Sequence, residues 1–124
     1  MIVKKYSYHV VWITKFGKKF LYGSIEKMVR FSIIKKAESL KVNIEEIEII
    51  PEHVHLFLTI KPTDSVSNII RELKGFSSYK TRKELSLTEK YKYFWGKGYY
   101  CESIGHISEK TIKKYINNQW ENYI

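Results

Sequence analysis

The stretch PEHVHLFLTI, Pro51 to Ile60, constrains the fold more than any other part of the chain. Strand side chains alternate, so Val54, Leu56, Leu58 and Ile60 form one wholly aliphatic face while His53, His55, Phe57 and Thr59 form the other. A residue pattern of period two with one such face predicts a strand packed on a core. It also places two imidazoles side by side on the face turned away from that core. Val42 to Ile50 reads as the strand before it, and Pro51 marks the turn between them.

The remaining elements follow from the same reasoning. Residues 5–14 alternate, with Tyr6, Tyr8, Val10 and Trp12 on one face, and KFGKKFLYG then reads as a basic loop. Ser24 is a plausible N-cap for a helix to about Leu40, with Ile25, Val29, Ile33 and Ala37 at helical spacing. Pro62 and Asp64-Ser65 open a second helix whose apolar stripe is Val66, Ile69, Ile70, Leu73 and Phe76. A loop to about Phe94 leads to a fourth strand over 98–104, which Gly105 breaks, and Ser108 caps a last helix with Ile112, Ile116, Trp120 and Tyr123 on its buried side. The order βαββαβ predicts an α+β, ferredoxin-like antiparallel sheet with two helices on one face, followed by an extra C-terminal helix. The chain of 124 residues reads as a single domain, 1–124.

Composition narrows the function classes. A formal net charge of +9 favours a polyanionic partner, and ten tyrosines offer rings on which bases can stack. No apolar run is long enough for a membrane span, and the N-terminus lacks the pattern of a signal peptide, so a cytoplasmic location is expected and no membrane partner. Cys101 is the only cysteine, which excludes an intrachain disulfide and a thiolate cluster and is expected to be inert packing.

Imidazole nitrogen suits several first-row divalent metals, so His53 and His55 could hold one ion. Taken alone, two polar strand residues are the commoner reading of a His-x-His. A histidine-triad nucleotide hydrolase would need a third alternating histidine where Phe57 stands, and a two-histidine phosphoesterase would need a second His-x-Thr/Ser repeat, which is absent. A zinc site recruiting Cys101 or His106 has no recognisable spacing. In TIKKYINNQW, Tyr115 and Gln119 are four apart and adjacent on one helix face. If this helix covers the open sheet face, a phenol and an amide meet the two imidazoles. A metal-assisted tyrosine nucleophile suits phosphodiester transfer through a covalent phosphotyrosine. The candidate phosphate contacts are Lys15, Lys18, Arg71, Lys74, Lys80, Arg82 and Lys83.

The segments YHVVWITKF (8–16), PEHVHLFLTIKP (51–62), IIRELKGFSS (69–78) and WGKGYYCESIG…TIKKYINNQ (95–119) resemble the IS200/IS605-family single-tyrosine transposases, which are HUH endonucleases. The resemblance implies His53, His55 and Gln119 as ligands of Mg²⁺ or Mn²⁺ and Tyr115 as nucleophile. It further implies single-stranded DNA as substrate, a 5′-phosphotyrosine with a free 3′-OH, hairpins near the element ends as recognition sites, and a homodimer. In such a dimer the tyrosine helix of one subunit can complete the histidine site of the other, with Gly105 in the connection acting as a hinge. Glu52 stands where the family commonly has Asp, and Gly17 where a basic residue is frequent; neither is expected to touch the ligands. The alternative from another class is a non-catalytic ferredoxin-like module that binds single-stranded nucleic acid. It would need neither Tyr115 nor Gln119.

Overall fold

The computed structural model describes residues 5–87 and 91–104. Its elements are β1 (Tyr6–Ile13), α1 (Gly23–Ser39), β2 (Asn43–Ile50), β3 (His53–Ile60), α2 (Val66–Glu84) and β4 (Tyr100–Ser103), with a short 3₁₀ turn at Lys15–Gly17. The four strands form one antiparallel sheet in the order β2-β3-β1-β4. Each helix therefore carries the chain past one intervening strand, which is the split βαβ arrangement expected from the sequence. The expected C-terminal helix, with Ser108, Tyr115 and Gln119, lies outside the described residues, as do Gly105 and His106.

The aliphatic face of β3 does what its alternation requires. Val54, Leu56, Leu58 and Ile60 join Val10 and Trp12 of β1, and this surface packs against Val29, Ile33 and Ala37 of α1 and Ile69, Ile70 and Leu73 of α2. In β2 the parity is repaired by a bulge. The register shifts between Ile44 and Glu46, and the extra residue returns Ile44, Ile47 and Ile49 to the core side. Glu46 and Glu48, opposite Phe57 and His55, then share the histidine face.

Two details of the helices differ from the sequence expectation. Ser24 does not cap α1: the helix begins at Gly23, and the N-cap position is Tyr22, which makes no side-chain capping bond. Ser65 does cap α2, accepting from the Asn68 N–H. The buried stripe of α2 runs on through Ser77 and Thr81 rather than Phe76. Small Ser77 is required there because the Trp95 indole reaches α2, donating to the Ser77 hydroxyl at 3.0 Å and to the Lys74 carbonyl at 3.0 Å. Phe76 is displaced to the helix flank, where the Lys36 ammonium lies 5.4 Å from its ring centre.

The 14–21 loop is tied to the turn that precedes β3. Thr14 N–H donates to the Glu52 carbonyl at 3.1 Å and Leu21 N–H to the Pro51 carbonyl at 3.0 Å. Phe20 and Leu21 are buried in the core, so the loop is anchored at both ends.

Candidate active site and nucleic-acid surface

β3 is paired along both edges, by β2 and β1, and the two histidines are buried rather than emerging on an open surface. His55 is fully buried and His53 is 9% exposed. Their ring centres are 6.0 Å apart. Carboxylate Oε1 of Glu52 lies 3.1 Å from His53 Nδ1, so Glu52 does touch a proposed ligand, contrary to the sequence expectation. The contact arises because Glu52 belongs to the turn, where strand alternation no longer separates neighbours. A carboxylate on Nδ1 orients the ring and leaves Nε2 to face a ligand.

Sequence reasoning missed His9. It lies on β1 opposite Phe57, fully buried, with its ring stacked 5.7 Å from His55 and 5.4 Å from Phe57. Tyr100 meets it edge-on at 5.9 Å, and the Tyr100 hydroxyl donates to Glu102 at 2.7 Å. The signal was available: if Tyr8, Val10 and Trp12 face the core, His9 must share the side of His53 and His55.

Burial disfavours the charged imidazolium. It lowers His9 from 6.5 to about 4, with the charge of Glu102 opposing, and lowers His55 to about 4, with His9 and His53 adding to the effect. Both rings are thus neutral near pH 7, the form in which imidazole binds metal. The unfolded chain binds more protons than the folded chain between pH 6.5 and about 4, so stability present above pH 6.5 is lost as pH falls through that window and levels off below it. Allowing for water reaching the rings, the loss is on the order of 2 kcal/mol for each histidine. Urea unfolding between pH 7 and pH 4 checks this, and His9→Phe, which keeps the stack, is expected to lessen the acid loss.

As a metal site the described residues supply a partial set. The imidazoles of His53 and His55 are donors that fit a divalent ion, but among the described residues no group of three or more His, Cys, Asp or Glu could hold one. Gln119 and the nucleophile Tyr115 lie outside the described residues, as does His106. Cys101 cannot join the histidines. It pairs with Val10 and packs on the helix-side core, and burial raises its thiol pKa, in keeping with the inert packing expected of it.

The proposed phosphate contacts fall into two groups. Lys15 and Lys18 flank Phe16, 5.1 and 6.0 Å from its ring centre. The other five are on α2, in the helix layer on the opposite side of the sheet from the histidines. Arg71 is exposed, Lys80 pairs with Glu84 at 2.9 Å, Arg82 Nε donates to the Ser78 carbonyl at 3.3 Å, and Lys83 lies beside Tyr79. Lys74 donates to the carbonyls of Gly96 and Gly98 at 2.9 and 2.8 Å, joining α2 to the approach to β4. Lys74→Met is therefore expected to lower stability by about 1–2 kcal/mol, the scale of charge-assisted hydrogen bonds, measured by urea denaturation.

Fold and site together define a ferredoxin-like α+β protein with a buried histidine pair on the sheet face opposite its helices. Residues 2–119 match the family described as "Transposase IS200 like". The transposase for insertion sequence element IS200 of Salmonella typhimurium is 34% identical over 117 residues, covering 92% of this chain and 76% of that protein. The ISDra2 transposase TnpA of Deinococcus radiodurans is 27% identical over 122 residues, 94% of this chain and 86% of that one. In three dimensions the chain is similar to the crystal structure of a candidate transposase from Deinococcus radiodurans R1, with a TM-score of 0.77 and 22% identity over 95% of this chain and 93% of the other. It is also similar to a REP-associated tyrosine transposase bound to a REP hairpin, with a TM-score of 0.67 and 19% identity over 100% of this chain and 73% of the other. The chain belongs to the IS200-like, single-tyrosine transposase family. Among the described residues no helix is long and apolar enough to cross a membrane.

Proposed function

We propose that this transposase cleaves and rejoins single-stranded DNA at insertion-sequence ends through a 5′-phosphotyrosine on Tyr115, acting as a homodimer. The observation that carries the reading is the pair of adjacent, buried imidazoles, His53 and His55, in a chain of this family. With Gln119 they would hold Mg²⁺ or Mn²⁺, and Glu52 would fix the His53 ring. A divalent ion bound there supplies positive charge against the negative charge that develops on the phosphate oxygens.

The chain's own residues do the rest. Tyr115 Oη attacks phosphorus; the Oη–P bond forms and the P–O3′ bond breaks, releasing a strand with a free 3′-OH. The energy of the phosphodiester is conserved in the phosphotyrosine, so a 3′-OH can later displace Tyr115 and rejoin DNA without a nucleotide cofactor. The net charge of +9 supports a polyanionic substrate, and the structural likeness to a transposase bound to a DNA hairpin supports hairpins as recognition elements.

The test is to incubate the protein with end-labelled single-stranded DNA carrying an element-end hairpin and Mn²⁺, then separate the products on a denaturing gel. Label is expected to shift to the protein, and the shift to be absent with Tyr115→Phe and with EDTA. Binding without an adduct across suitable end sequences would favour a non-catalytic binding module.

A further inference from the structure

We propose that the cleft between the 15–20 loop and the 91–93 segment holds one unpaired base of the DNA strand, stacked on Phe16 and walled by Tyr93. The proposal rests on the single-strand reading above and assigns it a specific contact.

Phe16 is 80% exposed and sits at φ 59°, ψ 19°. A bulky residue in the left-handed region is an outlier, and this one gains no burial in return. An observed outlier of this kind points to a function outside folding. The ring is nonetheless firmly mounted. Thr14 and Leu21 bracket the loop with backbone bonds to Glu52 and Pro51. The cleft floor is Phe20, which packs edge-on to Tyr91 at 5.3 Å and to Phe94 at 5.0 Å.

The opposite wall is Tyr93, 67% exposed, with the Lys92 ammonium 5.8 Å from its ring centre. Lys15, Lys18 and Lys19 line the cleft with these aromatics, and no acidic residue among the described ones does. The cleft, partly open to solvent, has a volume of about 250 Å³, below the range of drug-sized sites and suited to a single flat base. Rings between ammonium groups provide what a single strand needs: a π-face for the base and cations for the phosphates on either side. An apolar partner surface would leave those lysines uncompensated, which is why the occupant is nucleic acid rather than protein.

The position connects the cleft to the histidine pair. Ile13, at the end of β1, is opposite His53, and the next residue, Thr14, is bonded to the Glu52 carbonyl. A strand whose phosphate lies at His53 and His55 therefore has a flanking nucleotide at this end of the sheet.

The test is fluorescence anisotropy of the full chain with fluorescein-labelled oligo(dT) in EDTA, where no cleavage competes. Phe16→Ala is expected to weaken binding roughly 5- to 100-fold, the scale of one lost base–aromatic stack, with the salt dependence unchanged. Lys15→Ala should instead lower the salt slope by about one. Phe16→Tyr should restore affinity. An abasic deoxyribose-phosphate strand, which keeps the phosphates, should bind wild type more weakly than oligo(dT) and be indifferent to Phe16→Ala. Phe16→Gly, which suits the backbone angle, should lose affinity like the alanine variant while its Tm stays level or rises by up to about 3 °C.

Unchanged oligo(dT) affinity in Phe16→Ala, or an equal loss on the abasic strand, overturns the stacking site and leaves single-strand binding standing. Failure of wild type to bind oligo(dT) at all also overturns the stacking site, while adduct formation on hairpin-bearing single strands decides the single-strand reading separately.

Discussion

Replacing His53 or His55 by alanine is expected to lower the rate of single-strand cleavage by on the order of 10³-fold, while binding of the same DNA persists. The size follows from the proposed role. Losing a ligand forfeits several kcal/mol of charge stabilisation in the transition state, and each 1.4 kcal/mol is about tenfold in rate. The two variants should differ in stability. His55 is fully buried and stacked on His9, so its truncation opens space in the sheet face, whereas His53 lies nearer the surface. Glu52→Ala should fall between wild type and these variants, at roughly 10- to 100-fold, because it acts by orienting His53 rather than by ligation. Single-turnover cleavage beside anisotropy with the same oligonucleotide separates the two effects. Equal losses in binding and cleavage would reassign the histidines to DNA affinity.

The second large effect concerns the partition of the site between two subunits. A His53→Ala chain and a Tyr115→Phe chain, each inactive alone, are expected to regain cleavage when mixed under conditions that let dimers exchange. If Tyr115 of one subunit serves the histidines of the other, each mixed dimer has one intact site. Random exchange of a two-fold dimer makes half of the dimers mixed, so roughly a quarter of wild-type sites return. If the tyrosine serves its own histidines, every site in the mixture lacks one component and activity stays at zero. The measurement is adduct formation on a denaturing gel after mixing, with each variant alone as control.

What could be read from the sequence and what could not divides along physical lines. The sheet, its order and the orientation of His53 and His55 were legible because β3 alternates strictly and a one-residue slip would bury the histidines in the aliphatic core. Ser65 was legible as a cap because its reach to the Asn68 N–H is local. Ser77 in place of Phe76 was not, since that choice is made by Trp95, eighteen residues away, which needs a small residue beneath its indole. His9 obeyed a parity already in hand, yet no motif marked it, and its importance appears only when β1 is set beside β3. The Glu52 contact with His53 was not legible, because it forms in the turn, where strand alternation gives no rule for which side chains meet. The left-handed Phe16 had no sequence signature: such angles favour glycine, and the tethers holding this one come from Glu52 and Pro51, remote in the chain. Tyr115 and Gln119 stand on sequence and family resemblance.

The most direct test of the central claim is to isolate the covalent protein–DNA adduct, digest protein and DNA, and locate the modified peptide by mass spectrometry. The account predicts a phosphodeoxynucleotide on Tyr115, in the peptide that also carries Gln119. Modification of Tyr99, Tyr100 or Tyr123 instead, or cleavage that leaves no tyrosine modified, would contradict it.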